Sequence, residues 1–593
     1  MRLLLYALQA VSVFYLYGLA HGAPDVSQFV VRSLPDGPAL PPSWAGRLAV
    51  PHTEPGNSLF FWLFETEDPT YDDNLIIWLS GGPGCSSLSG LATGNGPISF
   101  EGGSTRLVAN PYSWTRLEHV LYIDQPVGTG YATASEPYLA VDNDRVTTHF
   151  YDWLQSLFLH FPHLQSKQVH LVGESWAGIY IPYFASAILD NQDSFPINIR
   201  SVTLGDPSIG NPAASSTVTV GKFLESNQQL LQLPDDILAV FMEADETCGF
   251  NNVLQQAGQY PPEGKIYIPG NPEDLNYRHR RMRRDLVDIA IGACNSYPTK
   301  PEEVRSSIFN NACSWACATF STALDYLNTT SYSGVGKPCF DRYDISNDCS
   351  TIYPQPLLES YFSRADVQTT LNLLPPPSAT DADGSSSASA HQPQPAQFTA
   401  CNRTIMFILS SNNVPAPPAY SLLPTLVTSH NVSLHIYHGE YDMLTNHYGI
   451  ELTLQNMTWN GAQGFSQPIS RPFYPDNPAP AYSVFPSPHT STNASPKNHN
   501  KNQPHSRHSS PSPSPSPSPS FESARSKKTA GICPAPIPEP GPEKEEEEEA
   551  GIWVSERGVT YHLFWGAGHS VIASKPREMF AYMRDVVVAG IER

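Results

Sequence analysis

The sequence predicts an α/β protein built on a largely parallel central sheet. Three observations carry this. Short β-branched or aromatic runs alternate with a helix-period run between Leu59 and Asn211. The alternation returns at Leu434 and Val559. At Gly173-Glu-Ser-Trp-Ala177 a strand-like run passes straight into a helix-like one through small residues. Strands alternating with helices imply parallel pairing, because parallel neighbours need crossovers and helices then cover both faces.

The elements follow in order. Leu59 to Phe64, Leu75 to Leu79, His119 to Ile123 and Val169 to Val172 read as strands. Val146 to Phe161 carries apolar residues at 150, 153, 154, 157, 158 and 161. That is the spacing of a helix burying one face, and Pro162 ends it. From about Ser215 to Cys349 the pattern breaks, and six cysteines fall at 248, 294, 313, 317, 339 and 349. This reads as a cap-like insertion (215–349) stapled by disulfides, with fifteen pairings open. Leu434 to Tyr437 and Val559 to Phe564 restore strands, and Arg577 to Val588 reads as a closing helix. Two stretches cannot bury enough apolar area to form a core. One is a low-complexity loop at 375–397. The other is a Pro/Ser/Glu-rich insert at 465–550, which holds the odd thiol Cys533.

Composition narrows the function. The 593 residues carry a net charge of −22, which excludes the basic stripe of a nucleic-acid binder. Arg2 precedes an apolar run from Leu3 to Leu19 and then small residues, so 1–22 is expected to be a secretory signal. Residues 23–43 are expected to be a short extension or propeptide. The mature chain holds no membrane-length apolar run. Nine cysteines fit an oxidising compartment. Asn-x-Ser/Thr sequons at Asn328, Asn402, Asn431, Asn456 and Asn493 fit a glycoprotein. The expected location is extracellular, with a vacuole as the alternative. Arg278-His-Arg-Arg-Met-Arg-Arg284 in the cap is a candidate site for proteolytic nicking.

Three motifs carry chemistry. Gly173-Glu-Ser175-Trp-Ala177 after a strand is the pattern of a nucleophile elbow, in which a sharp turn presents a serine. A serine hydroxyl needs a base. In elbow proteins the acid and then the histidine follow the serine in sequence. Asp442, just past the strand Leu434 to Tyr437, and His569, in Gly566-Ala-Gly-His569, satisfy that order. Leu75 to Leu79 leads into Ser80-Gly-Gly-Pro-Gly-Cys-Ser-Ser87, whose backbone N–H groups can face an oxyanion. That loop lacks the Gly-Lys-Ser/Thr ending of a phosphate-binding loop. No His-Glu-x-x-His occurs, and Cys313 and Cys317 lack a second ligand pair. No metal and no cofactor are expected.

Together these blocks resemble the serine carboxypeptidases of the α/β-hydrolase fold, particularly fungal ones. The matching segments are Gly81 to Ser87, Asp124 to Gly130, Gly173 to Gly178, Gly439 to Asp442 with Asn446, and Gly566 to His569. The resemblance spans roughly 44–590 outside the inserts, and 44–593 is expected to be the catalytic domain. It implies Ser175 as nucleophile, His569 as base and Asp442 as its orienting acid. It also implies an oxyanion hole from the N–H groups of Gly82 and Trp176, and a Cys85–Cys401 disulfide. Glu174 matches the glutamate that helps hold the substrate's C-terminal carboxylate. The family's asparagine is replaced by Ser80 and its glutamate by Gly94, leaving Ser80 and Asn95 as the candidate partners of Glu174. Ser570-Val-Ile572 stands where Met-Val-Pro is common. The expected activity is release of C-terminal residues from peptides and proteins through an acyl-enzyme. An esterase or acyltransferase on the same scaffold is the alternative, and a catalytically silent binding glycoprotein is the third reading.

Overall fold

A computed structural model describes residues 24–136, 138, 140–269, 298–310, 317–333, 339–347, 354–375, 394–411, 416–475 and 548–590. The expected signal, the basic cluster at 278–284, Cys294, Cys313, Cys349, Asn493, Cys533 and most of both low-complexity stretches lie outside these residues.

The sheet has eleven strands: β1 (Val30–Ser33), β2 (Ala39–Ala49), β3 (Ser58–Phe64), β4 (Asn74–Leu79), β5 (His119–Asp124), β6 (Gln168–Glu174), β7 (Asn198–Gly205), β8 (Ser433–Gly439), β9 (Arg471–Phe473), β10 (Gly551–Glu556) and β11 (Val559–Phe564). Their order is β1-β2-β3-β5-β4-β6-β7-β8-β11-β10-β9. The six central strands from β5 to β11 pair parallel. The two edges are antiparallel. This is the mostly parallel sheet of the α/β-hydrolase fold.

Both faces are covered, as the near-continuous apolar strands require. Along β4 the side chains alternate between two cores: Leu75, Ile77 and Leu79 enter one, Ile76 and Trp78 the other. The first core is closed by α1 (Asn143–His160) and α2 (Ala177–Asp190), whose Phe150 and Phe184 stack at 4.0 Å. The Asp142 side chain accepts a bond from Arg145 N–H and caps α1. The helix ends at Phe161, before Pro162. The cap has its own core, in which Phe223, Phe241, Ile308 and Tyr326 meet Met443, the neighbour of Asp442. A Cys248–Cys317 disulfide staples it. No helix among the described residues is long and apolar enough to cross a membrane.

Three expected boundaries need correction. Part of the 23–43 extension is β1, which pairs Val30 with Trp44 and buries Val31 and Leu34. The insert expected at 465–550 begins later. Phe465 is fully buried against Trp459, Ser466 bonds Glu556, and β9 pairs Phe473 with Gly551. Ala396, at the end of the 375–397 loop, is tied by both backbone groups to the side chain of Gln368. Each segment is ordered by a partner outside it that local composition does not reveal.

Candidate active site

The C-terminal ends of β4, β6, β8 and β11 converge, and each delivers one part of the site. At the end of β6, Ser175 takes φ +62°, a left-handed conformation for a non-glycine residue. Such a conformation costs of order 1–3 kcal/mol and persists only where surrounding structure enforces it. Ser175 N–H donates to Gly205 O at 2.8 Å, and its carbonyl accepts from Ser208 N–H at 3.0 Å and Gly178 N–H at 2.9 Å. Glu174, Ser175 and Trp176 are partly exposed, while Val172, Gly173, Ala177 and Gly178 on either side are buried. The turn therefore presents its three central residues and hides its supports.

The Ser80–Ser87 loop lies directly against this turn. A Cβ on Gly81 would sit 2.5 Å from Trp176 N and 2.9 Å from Ser175 Cβ, so only glycine permits the approach. Asp124 holds the loop from β5. Its carboxylate accepts from Ser86 Oγ at 2.6 Å, Ser87 N–H at 3.0 Å and Tyr131 N–H at 2.9 Å. Burial raises its pKa to about 6 against those bonds. The Asp124 to Gly130 motif is thus the fastening of the glycine loop. Cys85 and Cys401 are joined in a disulfide at the same loop.

Past β8, Asp442 is fully buried. One carboxylate oxygen accepts from Leu444 N–H at 2.8 Å, and the other from Thr445 Oγ1 at 2.7 Å and His569 Nδ1 at 2.7 Å. Burial disfavours its charge, but the His569 ring and these donors leave its pKa lowered. His569 follows β11, and its N–H donates to Tyr343 O at 2.6 Å. Tyr343 also sets its ring edge-on to the imidazole at 5.3 Å. Burial opposes protonation of His569, yet Asp442 outweighs it and the pKa is raised. With Nδ1–H directed at Asp442, Nε2 is the nitrogen left for proton exchange. A direct Ser175–His569 hydrogen bond is not among those formed by the described residues. One residue along on each chain, Ser570 Oγ donates to Glu174 Oε2 at 3.1 Å and joins the two segments.

A model of the family described as serine carboxypeptidase matches residues 41–472. A carboxypeptidase Y homolog of Arthroderma benhamiae is 39% identical over 577 residues, covering 96% of both chains. The chain belongs to the serine carboxypeptidase family. It is a serine-type carboxypeptidase, a hydrolase of peptides. A serine-type carboxypeptidase F of Aspergillus niger is 28% identical over 477 residues, covering 76% of each chain. The solved structure of Kex1(Δ)p, a prohormone-processing carboxypeptidase from Saccharomyces cerevisiae, shares the fold at TM-score 0.57 and 19% identity over 96% of both chains.

In this carboxypeptidase Glu174 has partners that the sequence reading missed. Tyr437 OH donates to its other oxygen at 3.2 Å. Burial raises the Glu174 pKa to about 7, opposed by His569, Ser570, Tyr437 and Ile572 N–H. Ser80 is partly exposed beside the glycine loop. Asn95 does not share that exposure. It is 1% exposed and turns Oδ1 to Tyr122 OH at 3.2 Å. Its neighbour Gly94 has no room for a side chain, because a Cβ there would lie 2.6 Å from Ile572 Cγ1. Of the described sequons, Asn431 is exposed. Asn328, Asn402 and Asn456 each donate Nδ2 to a backbone carbonyl. Asp206, His438 and Asp442 place ligand-type atoms within 4.8 Å of one another, the one described group with a metal site's donor set. Both nitrogens of His438 already meet carbonyl oxygens there.

Proposed function

We propose that the enzyme releases C-terminal residues through an acyl-enzyme formed on Ser175. Ser175 Oγ attacks the scissile carbonyl as His569 Nε2 takes its proton. The imidazolium then gives that proton to the leaving amine, and water repeats the sequence to free the acyl group. Asp442 keeps His569 in the Nδ1–H tautomer and offsets its positive charge. The N–H groups of Gly82 and Trp176 receive the oxyanion. Trp176 precedes α2, where the first N–H groups lack partners within the helix. Losing one such donor raises the barrier by about 2.7–4 kcal/mol. Glu174, mostly protonated below about pH 7, would face the substrate's C-terminal carboxylate with Ser80 nearby. Such a hydrogen bond to a charged group contributes about 1.5–3 kcal/mol.

The observation that carries this reading is the 2.7 Å His569–Asp442 bond, tied through Ser570 and Glu174 to the strained turn at Ser175. We place the enzyme in the secretory route. The Arg2-led apolar segment and two disulfides between described residues support this.

The test replaces Ser175 by alanine. Hydrolysis of a blocked dipeptide should fall by on the order of 10⁶ in kcat, and labelling by a fluorophosphonate should disappear while the fold persists. Near-wild-type turnover by Ser175→Ala would overturn the assignment. For the wild type, a free-acid peptide should be cleaved in preference to its C-terminal amide. An ester cleaved with no such preference would favour the esterase alternative.

A further inference from the structure

Two fully buried groups beside Asp442 have no part in the triad. Asp206 follows β7, and His438 lies in β8. Asp206 Oδ1 accepts from Gly439 N–H at 2.9 Å and lies 3.2 Å from His438 Nδ1. The same Nδ1 is 2.9 Å from Gly439 O, while Nε2 bonds Thr445 O and lies 4.0 Å from Asp442 Oδ2. Thr445 Oγ1, whose hydrogen goes to Asp442 at 2.7 Å, also lies 3.2 Å from Asp206 O, and Asp206 N–H donates to Tyr437 O. The loop that carries Asp442 is thus closed by His438 across to Thr445 and pinned by Asp206 from the neighbouring strand.

The hydrogen-bond inventory limits where the protons sit. Carbonyl oxygens only accept, and each ring nitrogen of His438 faces one. A neutral imidazole would aim a lone pair at Gly439 O or at Thr445 O. Both nitrogens are satisfied only when both carry hydrogen, with Asp206 as the counter-charge. Burial pulls the other way, raising the Asp206 pKa and lowering that of His438 to about 4. That competition moves the proton between the two partners. It does not change their sum, because the ion pair and the neutral pair hold the same number of protons.

We propose that Asp206 and His438 act as a positioning pair for Asp442: they share one proton, stay neutral together, and leave Asp442 as the single net charge bonded to His569. The inference rests on the triad reading given above. Two adjacent buried carboxylates cannot both ionise cheaply, so a shared proton is what allows Asp442 to stay charged. The titratable groups around the pair are Asp442, His447, His569 and Glu174, with Asp341 facing His569 further out.

The experiment compares Asp206→Asn, His438→Gln and the double variant. The readout is kcat/KM against pH, from about 4 to 8, for a blocked dipeptide acid, because its acid limb reports the pKa of the free enzyme's base. His438→Gln removes the partner that shares Asp206's proton, so any ionisation of Asp206 puts a second charge beside Asp442 and the limb should move up by about 0.5 unit or more. Asp206→Asn leaves His438 neutral over most of this range, because burial lowers its pKa to about 4, so the limb should stay near the wild-type position. The double variant is a neutral amide pair. It should return the limb to the wild-type position and turn over faster than either single variant. If a single variant fails to fold, the double variant should still fold. Shifts in the same direction, no shifts, or a double variant no better than the worse single would overturn the proposal. Every variant keeps Ser175 and His569, so the Ser175→Ala experiment tests the triad separately.

Discussion

His562 offers a direct measure of what a buried imidazole does to stability. It lies in β11, stacked on Trp553 at 4° between planes, with Tyr582 edge-on at 4.8 Å. Neither ring nitrogen has a hydrogen-bond partner, and burial with His435 nearby lowers its pKa from 6.5 to about 3. The sign follows from proton counting. Between those two values the unfolded chain binds a proton that the folded chain refuses, so stability is full above about pH 6.5 and falls as pH drops. At pH 5 the difference is about 1.5 units, or about 2 kcal/mol. His562→Phe removes the titrating group and keeps an aromatic ring among aromatic neighbours. At pH 7 it should change stability by less than about 1.5 kcal/mol. At pH 5 it should be about 2 kcal/mol more favourable, relative to wild type, than at pH 7. A per-residue unfolding entropy of about 2 cal/mol/K makes that on the order of 2 °C in Tm for a domain of this size. The assay is Tm of both proteins at the two pH values. The comparison must be differential. Glu174 and Asp245, raised to about 7, and Asp124, raised to about 6, gain stability over the same interval. Parallel Tm changes in variant and wild type would refute the reasoning.

Two further outcomes are expected. Glu174 turns anionic above about pH 7 and would then repel a substrate carboxylate, so KM for free-acid peptides should climb there. Glu174→Gln, neutral at every pH, should flatten that climb, and a KM profile unchanged by the substitution would count against Glu174 as the anchor. Phe473 pairs with Gly551, and Ala550 N–H donates to Phe473 O at 2.9 Å, so the chain leaves and re-enters the sheet at adjacent points. Replacing 476–547 by a short hairpin turn should leave kcat/KM within about twofold, since loop length changes closure entropy by only ~0.6 kcal/mol per doubling. An inactive product would show that the segment contributes to the enzyme.

Five of the six central strands were legible because each is rich in apolar and β-branched residues and ends in small or polar ones; β7 was not, since Arg200, Ser201 and Thr203 break its apolar run. Ser175, Asp442 and His569 were legible for a related reason: each lies just past a strand end, and the three occur in elbow order. Edge elements were not. β1 and β9 are three or four residues long, and what makes them strands is a partner far away in sequence. Asp206 and His438 were equally hidden, because a polar residue at a strand end reads as a turn until its neighbour across the sheet is known. The signal for Asp206 was present in Gly205-Asp-Pro207, immediately past an apolar strand. The setting of Asn95 was hidden in another way. Proximity to Gly94 in sequence said nothing about the inward turn that gives its oxygen to Tyr122.

The departures from the family pattern at 94 and 572 are linked by packing. Ile572 occupies the space that a side chain at 94 would need, with Cγ1 and Cδ1 at 2.6 and 2.7 Å from the position of a Cβ. Isoleucine at 572 therefore leaves room only for glycine at 94, since a glutamate there would meet a buried apolar side chain. Two positions earlier, Ser570 supplies a hydroxyl to Glu174, and Tyr437 supplies a second. The carboxyl that the family pattern would place at 94 is absent, but Glu174 is not left without polar company. A single buried carboxyl with two hydroxyl donors keeps more of its ionised form than two adjacent carboxyls would, because like-charge repulsion no longer adds to burial. The structure thus trades an acid pair that must share a proton at the substrate end for one acid near pH 7. The remaining acid pair of the site, Asp206 with Asp442, lies beneath the histidine, where a buried imidazole accompanies it.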